Sequence, residues 1–292
     1  LPLVTVAEAA ALLRAGRVVG IPTETVYGLA ADATNPAAVR EVFRLKGRPA
    51  GHPLIVHARD PRPWAEFDAR AERLAALWPG PLTLVLPGRG AVAPEVGGGH
   101  RTLAVRCPDH PVTLALLDTL DFPLAAPSAN RFGEVSPTTA AHVLASFPDL
   151  PVVDGGPCRV GLESTIVDLS CSPAAILRPG GVDADAVEIA LGEPLGVAGP
   201  TAAPGTLPSH YAPKARVVVV AEAAAEAELQ RALGKRVAVL LRRPSRLYAR
   251  SLYAELRAAD DAGADLVLCE WAEPDGLGAA VNDRLRRAAA AA

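Results

Sequence analysis

Methionine is missing from this 292-residue sequence, lysine occurs three times, and aromatic residues make up only 4%. No apolar run approaches the roughly 18 residues a spanning helix needs, so no membrane crossing is expected. The opening LPLVTVAEAA has no basic flank before an apolar core, so a signal peptide is not expected and a cytoplasmic location is. The lack of Met even at position 1 reads as a trimmed or renumbered start. The four cysteines, Cys107, Cys158, Cys171 and Cys269, are scattered, with no CxxC and no neighbouring His pair. That spacing excludes a zinc-ribbon pattern, predicts reduced buried thiols, and gives no metal cluster. Charge of one sign is also lacking. Residues 1–200 hold 16 basic and 21 acidic side chains and the remainder 13 and 11, for a net −3, so neither part is a polycation that coats nucleic acid. Finally, neither GxxxxGK[ST] nor GxGxxG occurs. A bound nucleotide would therefore rely on side-chain cations and hydroxyls in place of a glycine cradle.

What is present is a globular composition, 50% hydrophobic and 21% charged, at about twice a usual domain length. Residues 1–192 alternate helical patterns with short apolar runs, the mark of an α/β domain. Thr5 and Glu8 form a capping box for a helix to Ala15, and Asn35-Pro36 opens another ending near Lys46. Further helices are expected near 69–78, 111–120, 137–147 and 184–191. Strands are expected at 18–21, 54–57, 82–86, 103–106, 124–126, 152–154, 165–168 and 175–178. Residues 192–213 hold four Gly and five Pro, so 193–214 reads as an extended linker. Residues 215–292 then give three strand runs separated by helices, a smaller Rossmann-like parallel α/β domain.

Polar clusters follow several of the strand runs, where α/β sheets place ligands. Pro22-Thr-Glu-Thr25-Val-Tyr-Gly28 follows the first. Lys46-Gly-Arg48 leads through His52 into the run ending at His57. Alternation can put Thr102 and Arg106 on one strand face. Ala126-Pro-Ser128-Ala-Asn130 is followed by Ser136, then Glu163-Ser164-Thr165 and Arg178-Pro-Gly-Gly. Each has a plain alternative. Lys46 and Arg48 also read as a solvated helix end, His57 as a core histidine, Ser128–Asn130 as a turn, and Thr23 and Thr25 as caps. Arg106 and Arg178 resist that treatment, because each closes an apolar strand and a buried guanidinium needs an anionic or well-bonded partner.

Taken in order, PTETVYGL, KGRP, HPLIVH, APSAN, GLESTIVD and LRPGG resemble the YrdC-like threonylcarbamoyl-AMP synthase family. SHYAPK and the terminal GLGAAVNDRLRRAA resemble its long, two-domain form, so the likeness runs from about Val6 to Ala289. The resemblance implies a YrdC-like open twisted α/β domain and a nucleotidyltransferase activity. Such an enzyme condenses L-threonine with bicarbonate and transfers the carbamate to the ATP α-phosphate. The adenylate it releases with pyrophosphate serves a tRNA modification. It implies that Thr25, His57, Arg106, Ala126 and Ser164 contact threonine. Arg48, His52, Thr102, Ser128, Ser136, Arg178 and Tyr211 then contact ATP, while Lys46 and Asn130 join Arg48 at the phosphates. Mg2+ would bridge ATP oxygens without a protein cage. Labile intermediates favour a cover, which makes the linker a lid, with tRNA threonylcarbamoyl transferase components downstream as partners. Two departures stand out: His52 where Asn is frequent, and a linker that keeps only Tyr211-Ala-Pro213. An RNA-binding module of the same fold is the alternative, weakened by the acidity of residues 1–200. Carbamoyl transfer in hydrogenase maturation is a second, weakened because acylphosphatase and zinc-finger segments are lacking.

Overall fold

The computed structural model describes residues 2–49, 51–199, 201, 204–205 and 211–290. Among them, α1 (Val6–Arg14) starts at the capping box read from sequence: Thr5 accepts from the Glu8 amide, and Glu8 reaches back to the Thr5 amide at 2.8 Å. Asn35 caps α2 (Pro36–Lys46), which ends at Gly47 in the left-handed region, φ +63°. That turn reverses the chain straight after Lys46 and sets Arg48 at the mouth of the sheet.

Eight strands make one mixed sheet: β1 (Val19–Ile21), β2 (Gly28–Asp32), β3 (Ile55–His57), β4 (Leu82–Pro87), β5 (Thr102–Arg106), β6 (Leu124–Ala125), β7 (Thr165–Asp168) and β8 (Ala175–Arg178). Their spatial order is β1-β2-β6-β3-β5-β4-β7-β8, with β3–β5 and β4–β7 parallel and the other neighbours antiparallel. β2 is absent from the sequence expectation. Its residues, GLAAD, are small and nearly all buried, so no alternation marks them. The run expected at 152–154 is instead a set of single bridges, Val152 to Leu3 and to Gly20. Around this sheet lie α3 (Ala69–Ala75), α4 (Pro111–Leu117), α5 (Ala140–Ser146) and α6 (Ala184–Leu191), three of them shorter than the sequence periodicity predicts.

A second sheet contains β9 (Arg216–Val220), β10 (Val237–Leu240) and β11 (Leu266–Glu270), all parallel in the order β10-β11-β9. The helices α7 (Ala223–Ala232), α8 (Ser245–Asp261) and α9 (Gly278–Ala289) complete this domain. Its core is continuous with the first domain's edge: Val26, Val135, Leu162 and Tyr211 share one apolar cluster with Leu252, Tyr253 and Leu285. No helix among the described residues is long and apolar enough to cross a membrane.

Candidate active site

The segment between β1 and β2 builds one wall of a cavity. Thr23, Glu24 and Thr25 are all buried there. The Thr23 hydroxyl donates to the Val26 carbonyl at 2.6 Å and accepts from the Thr25 and Val26 amides, a local turn that fixes the segment. Thr25 Oγ1 accepts from Arg106 Nη1 at 3.0 Å. Arg106 closes β5, donates from Nε to the Gly80 carbonyl, and lies 2.5 Å through Nη2 from Glu24 Oε1. That ion pair lies off the hydrogen-bond axis, so neither Glu24 oxygen has a directed hydrogen bond. Its attraction is therefore Coulombic, between two fully buried side chains.

His57 sits opposite Arg106 in the β3–β5 register. Its Nδ1 is 3.2 Å from the Ile55 carbonyl, which assigns the proton to Nδ1 and leaves Nε2 an acceptor. Burial and then the Arg106 charge push its pKa down to about 3, against the pull of the Ile55 carbonyl. A neutral imidazole thus stands beside a guanidinium.

Across the cavity are two further cations. Arg48 is 7% exposed and donates to the carbonyls of His52 and Pro53. Arg178, 3% exposed, closes β8 and donates from Nε and Nη2 to the Ser164 carbonyl and from Nη1 to the Pro204 carbonyl. Neither makes an ion pair among the described residues: Arg48 rests on two carbonyls and the Phe132 ring, and Arg178 on two carbonyls and the Ser164 hydroxyl. Burial pushes Arg48 down to about 10, with Tyr211 opposing and the Arg178 charge adding to the push. Two buried like charges on neutral acceptors are what an anionic ligand would relieve.

Tyr211 covers this side. It is buried, and it alone among the described non-glycine residues has a positive φ, 62°. An aromatic side chain held in that region marks a constrained position. Gly205 lies against it so closely that a Cβ there would be 1.9 Å from the Tyr211 hydroxyl. His210, beside it in the sequence signature, lies outside the described residues, as does Ser209.

The cavity these walls enclose is small, about 50 Å³, well under the rough 300–1,000 Å³ of small-molecule sites. Its lining includes Thr25, His57, Arg106, Ala126, Ser164, Arg48, Ser128, Arg178 and Tyr211, with Ser164 bonded directly to Arg178. Five expected residues lie elsewhere. Lys46 is buried behind the wall, and its Nζ donates to the carbonyls of Ser128 and Asn130 and to both of their side chains. Burial and Arg48 hold its pKa well below the usual lysine range, while Glu163 and Glu134 act the other way. Asn130 is likewise turned inward, donating to the Arg131 and Glu134 carbonyls. Ser136 is fully buried and donates to Glu163 at 2.6 Å. His52 is half-buried at the rim, 5.6 Å from the Phe132 ring. Thr102 begins β5 and faces a separate surface cleft with Gly97 and His100, at the far end of the strand from Arg106.

Glu163, which the sequence placed in a polar cluster but gave no role, lines the cavity. Its carboxylate is met from the second domain by Tyr253 and Arg284, both at 2.9 Å. A glutamate inside the apolar-flanked run GLESTIVD was its sequence signal. Nothing local to α8 or α9 announced its partners. No group of three His, Cys, Asp or Glu that could hold a metal converges among the described residues. Glu163, in the cavity lining, and Glu24, buried beside Thr25, are both already paired with arginines.

The family model Sua5_yciO_yrdC, described as telomere recombination, matches residues 11–180. Sua5_C, the C-terminal domain of threonylcarbamoyl-AMP synthase, matches residues 182–290. A threonylcarbamoyl-AMP synthase of Pyrococcus abyssi is 40% identical, over 96% of this chain and 92% of its own. That of Bacillus subtilis is 37% identical, over 97% and 92%. The crystal structure of P. abyssi Sua5 complexed with L-threonine superposes with a TM-score of 0.91 at 38% identity, covering 97% of this chain and 94% of the other.

Proposed function

The chain belongs to the Sua5–YciO–YrdC family, in its two-domain form, and on that premise we propose how it works as a threonylcarbamoyl-AMP synthase. The substrates are L-threonine, bicarbonate and ATP. The threonine nitrogen attacks the bicarbonate carbon and water leaves, giving a carbamate. A carbamate oxygen then attacks the ATP α-phosphorus, the bond to the β-phosphate oxygen breaks, and pyrophosphate departs. This makes the reaction a nucleotidyl transfer.

The observation that carries the reading is the convergence of three buried guanidiniums, Arg48, Arg106 and Arg178, on one cavity. A carbamate and a triphosphate repel each other, and fixed donors that need no reorganisation are the largest known aid to such a transfer. On the threonine side, Arg106 offers the N–H groups not spent on Gly80, Thr25 and Glu24 to the carboxylate. His57 Nε2 is an acceptor for the ammonium or hydroxyl group, and Ser164 Oγ and Thr25 Oγ1 frame the same end. On the other side Arg48, Arg178 and Ser128 receive the nucleotide. Lys46 and Asn130 act one layer back by holding the Ser128–Asn130 loop. His52, Thr102 and Ser136 are assigned to ATP by resemblance alone. Mg2+ arrives as part of the nucleotide, since both nearby carboxylates are already charge-paired.

Residues 193–214 serve as the lid: Pro204 binds Arg178, and Tyr211 closes over the same wall. Catalysis is then positioning and charge stabilisation with no covalent nucleophile. The adenylate passes to a tRNA-modifying transferase in the cytoplasm. Incubating the protein with ATP, Mg2+, threonine and 13C-bicarbonate should give a labelled threonylcarbamoyl adenylate by mass. Salt-dependent RNA binding with no such product would favour the RNA-binding alternative.

A further inference from the structure

Arg284 lies on α9, in the second domain, and is fully buried. A guanidinium without solvent is costly unless its charge is met, and here it is met across the domain boundary. Its Nε donates to Glu163 Oε2 at 2.9 Å, and Nη1 donates to Asp283 at 2.6 Å. Its guanidinium carbon Cζ lies 5.0 Å from the centre of the Tyr211 ring. Tyr253, from α8, donates to the same Glu163 oxygen at 2.9 Å and stacks on Tyr211 with centroids 5.8 Å apart. The other Glu163 oxygen accepts from Ser136.

Glu163 therefore sits where an uncancelled negative charge would do harm. It lines the cavity beside Ser164, whose carbonyl holds Arg178. An ionised carboxylate free to turn would compete with a triphosphate for Arg178. Burial pushes the Glu163 pKa up, but the charges of Arg284 and Arg178 and the Ser136 bond outweigh it and hold it near 2. The glutamate thus stays charged at neutral pH, and its countercharge comes from the second domain.

We propose that Arg284 is a positioning residue for the nucleotide side of the site: by neutralising Glu163 it keeps that carboxylate on Ser136 and Tyr253, leaving Arg48 and Arg178 to the phosphates. The second domain is then a component of the ATP site, and its docking and ATP binding are coupled in both directions. This rests on the synthase reading above.

The test compares the full-length parent, Arg284→Met, Glu163→Gln, the double variant and Tyr253→Phe by threonylcarbamoyl-adenylate formation. An uncancelled charge roughly 10 Å from the phosphates, at an effective dielectric near 20, weakens binding about tenfold. Arg284→Met should raise the ATP KM about that much while the threonine KM stays within about twofold. Adding Glu163→Gln to Arg284→Met should return the ATP KM to within about threefold of the parent, because the offending charge goes with it. Arg284→Met alone should also gain a pH dependence, with the ATP KM worsening as pH rises and the buried Glu163 carboxyl, now without its countercharge, ionises. A merely structural arginine would give no such rescue and no new pH profile. The inference is overturned if both KM values rise together, or if the double variant is as poor as Arg284→Met. Should Arg284→Met fail to fold, Tyr253→Phe removes one bond to Glu163 and must raise the ATP KM alone. A parent chain that forms no adenylate overturns the synthase reading instead.

Discussion

Substituting Gly205 by Ala isolates the contribution of the connector. Gly205 has φ +74°, and an added Cβ would lie 1.9 Å from the Tyr211 hydroxyl and 3.0 Å from Arg178 Nη1. Ordinary contact needs about 3.4 Å, so the two must part by roughly 1.5 Å. The left-handed backbone alone costs an alanine about 1 kcal/mol, a fivefold shift against closure. If the displaced segment also loses the bond from Arg178 Nη1 to the Pro204 carbonyl, a charge-assisted contact adds about 1.5 kcal/mol. The closed arrangement is then weakened by about 2.5 kcal/mol, or roughly seventyfold. The assay is adenylate lifetime after a chase, together with ATP affinity. Gly199→Ala is the control, since a Cβ there meets nothing within 4 Å. If the two variants hold their adenylate equally long, residues 193–214 are only a tether and the argument for a lid is refuted.

Two further outcomes follow from the site. Arg48→Ala should slow turnover about 10- to 1000-fold while the protein still folds, whereas Lys46→Ala, which strands the buried Ser128 and Asn130 carbonyls and side chains, should lose more stability. Melting curves and rates for the two separate the roles, and identical stability would place Lys46 at the phosphates instead. His57, held near pKa 3 against the usual 6.5, binds fewer protons folded than unfolded. The parent should thus lose stability as pH falls from about 6.5 toward 3, and His57→Asn should lose less. Urea midpoints at stepped pH would show it, and parallel curves would contradict it.

How much of this was legible beforehand depended on the range of the interaction. The Thr5–Glu8 box and the Asn35-Pro36 cap are local, so α1 and α2 began where the sequence put them. β2 was invisible because Gly28–Asp32 is buried on both faces and carries no period-two signal. Arg106 and Arg178 were readable because a charge ending an apolar strand has few structural explanations. Lys46 was placed by its neighbours in the motif, but sequence could not show that its ammonium turns inward to Ser128 and Asn130, 82 and 84 residues away. Arg284 was less legible still. In the run DRLRR it looks like Arg286, which packs over Trp271, and only a contact spanning 121 residues distinguishes it.

The central claim is that one cavity joins a carbamate made from threonine and bicarbonate to the ATP α-phosphate. The most direct measurement is pyrophosphate release from ATP and Mg2+ in four parallel reactions: complete, without threonine, without bicarbonate, and without both. The account predicts release only in the complete mixture, at a rate matching adenylate formation. Release that proceeds equally without threonine, or without bicarbonate in degassed buffer, would contradict it.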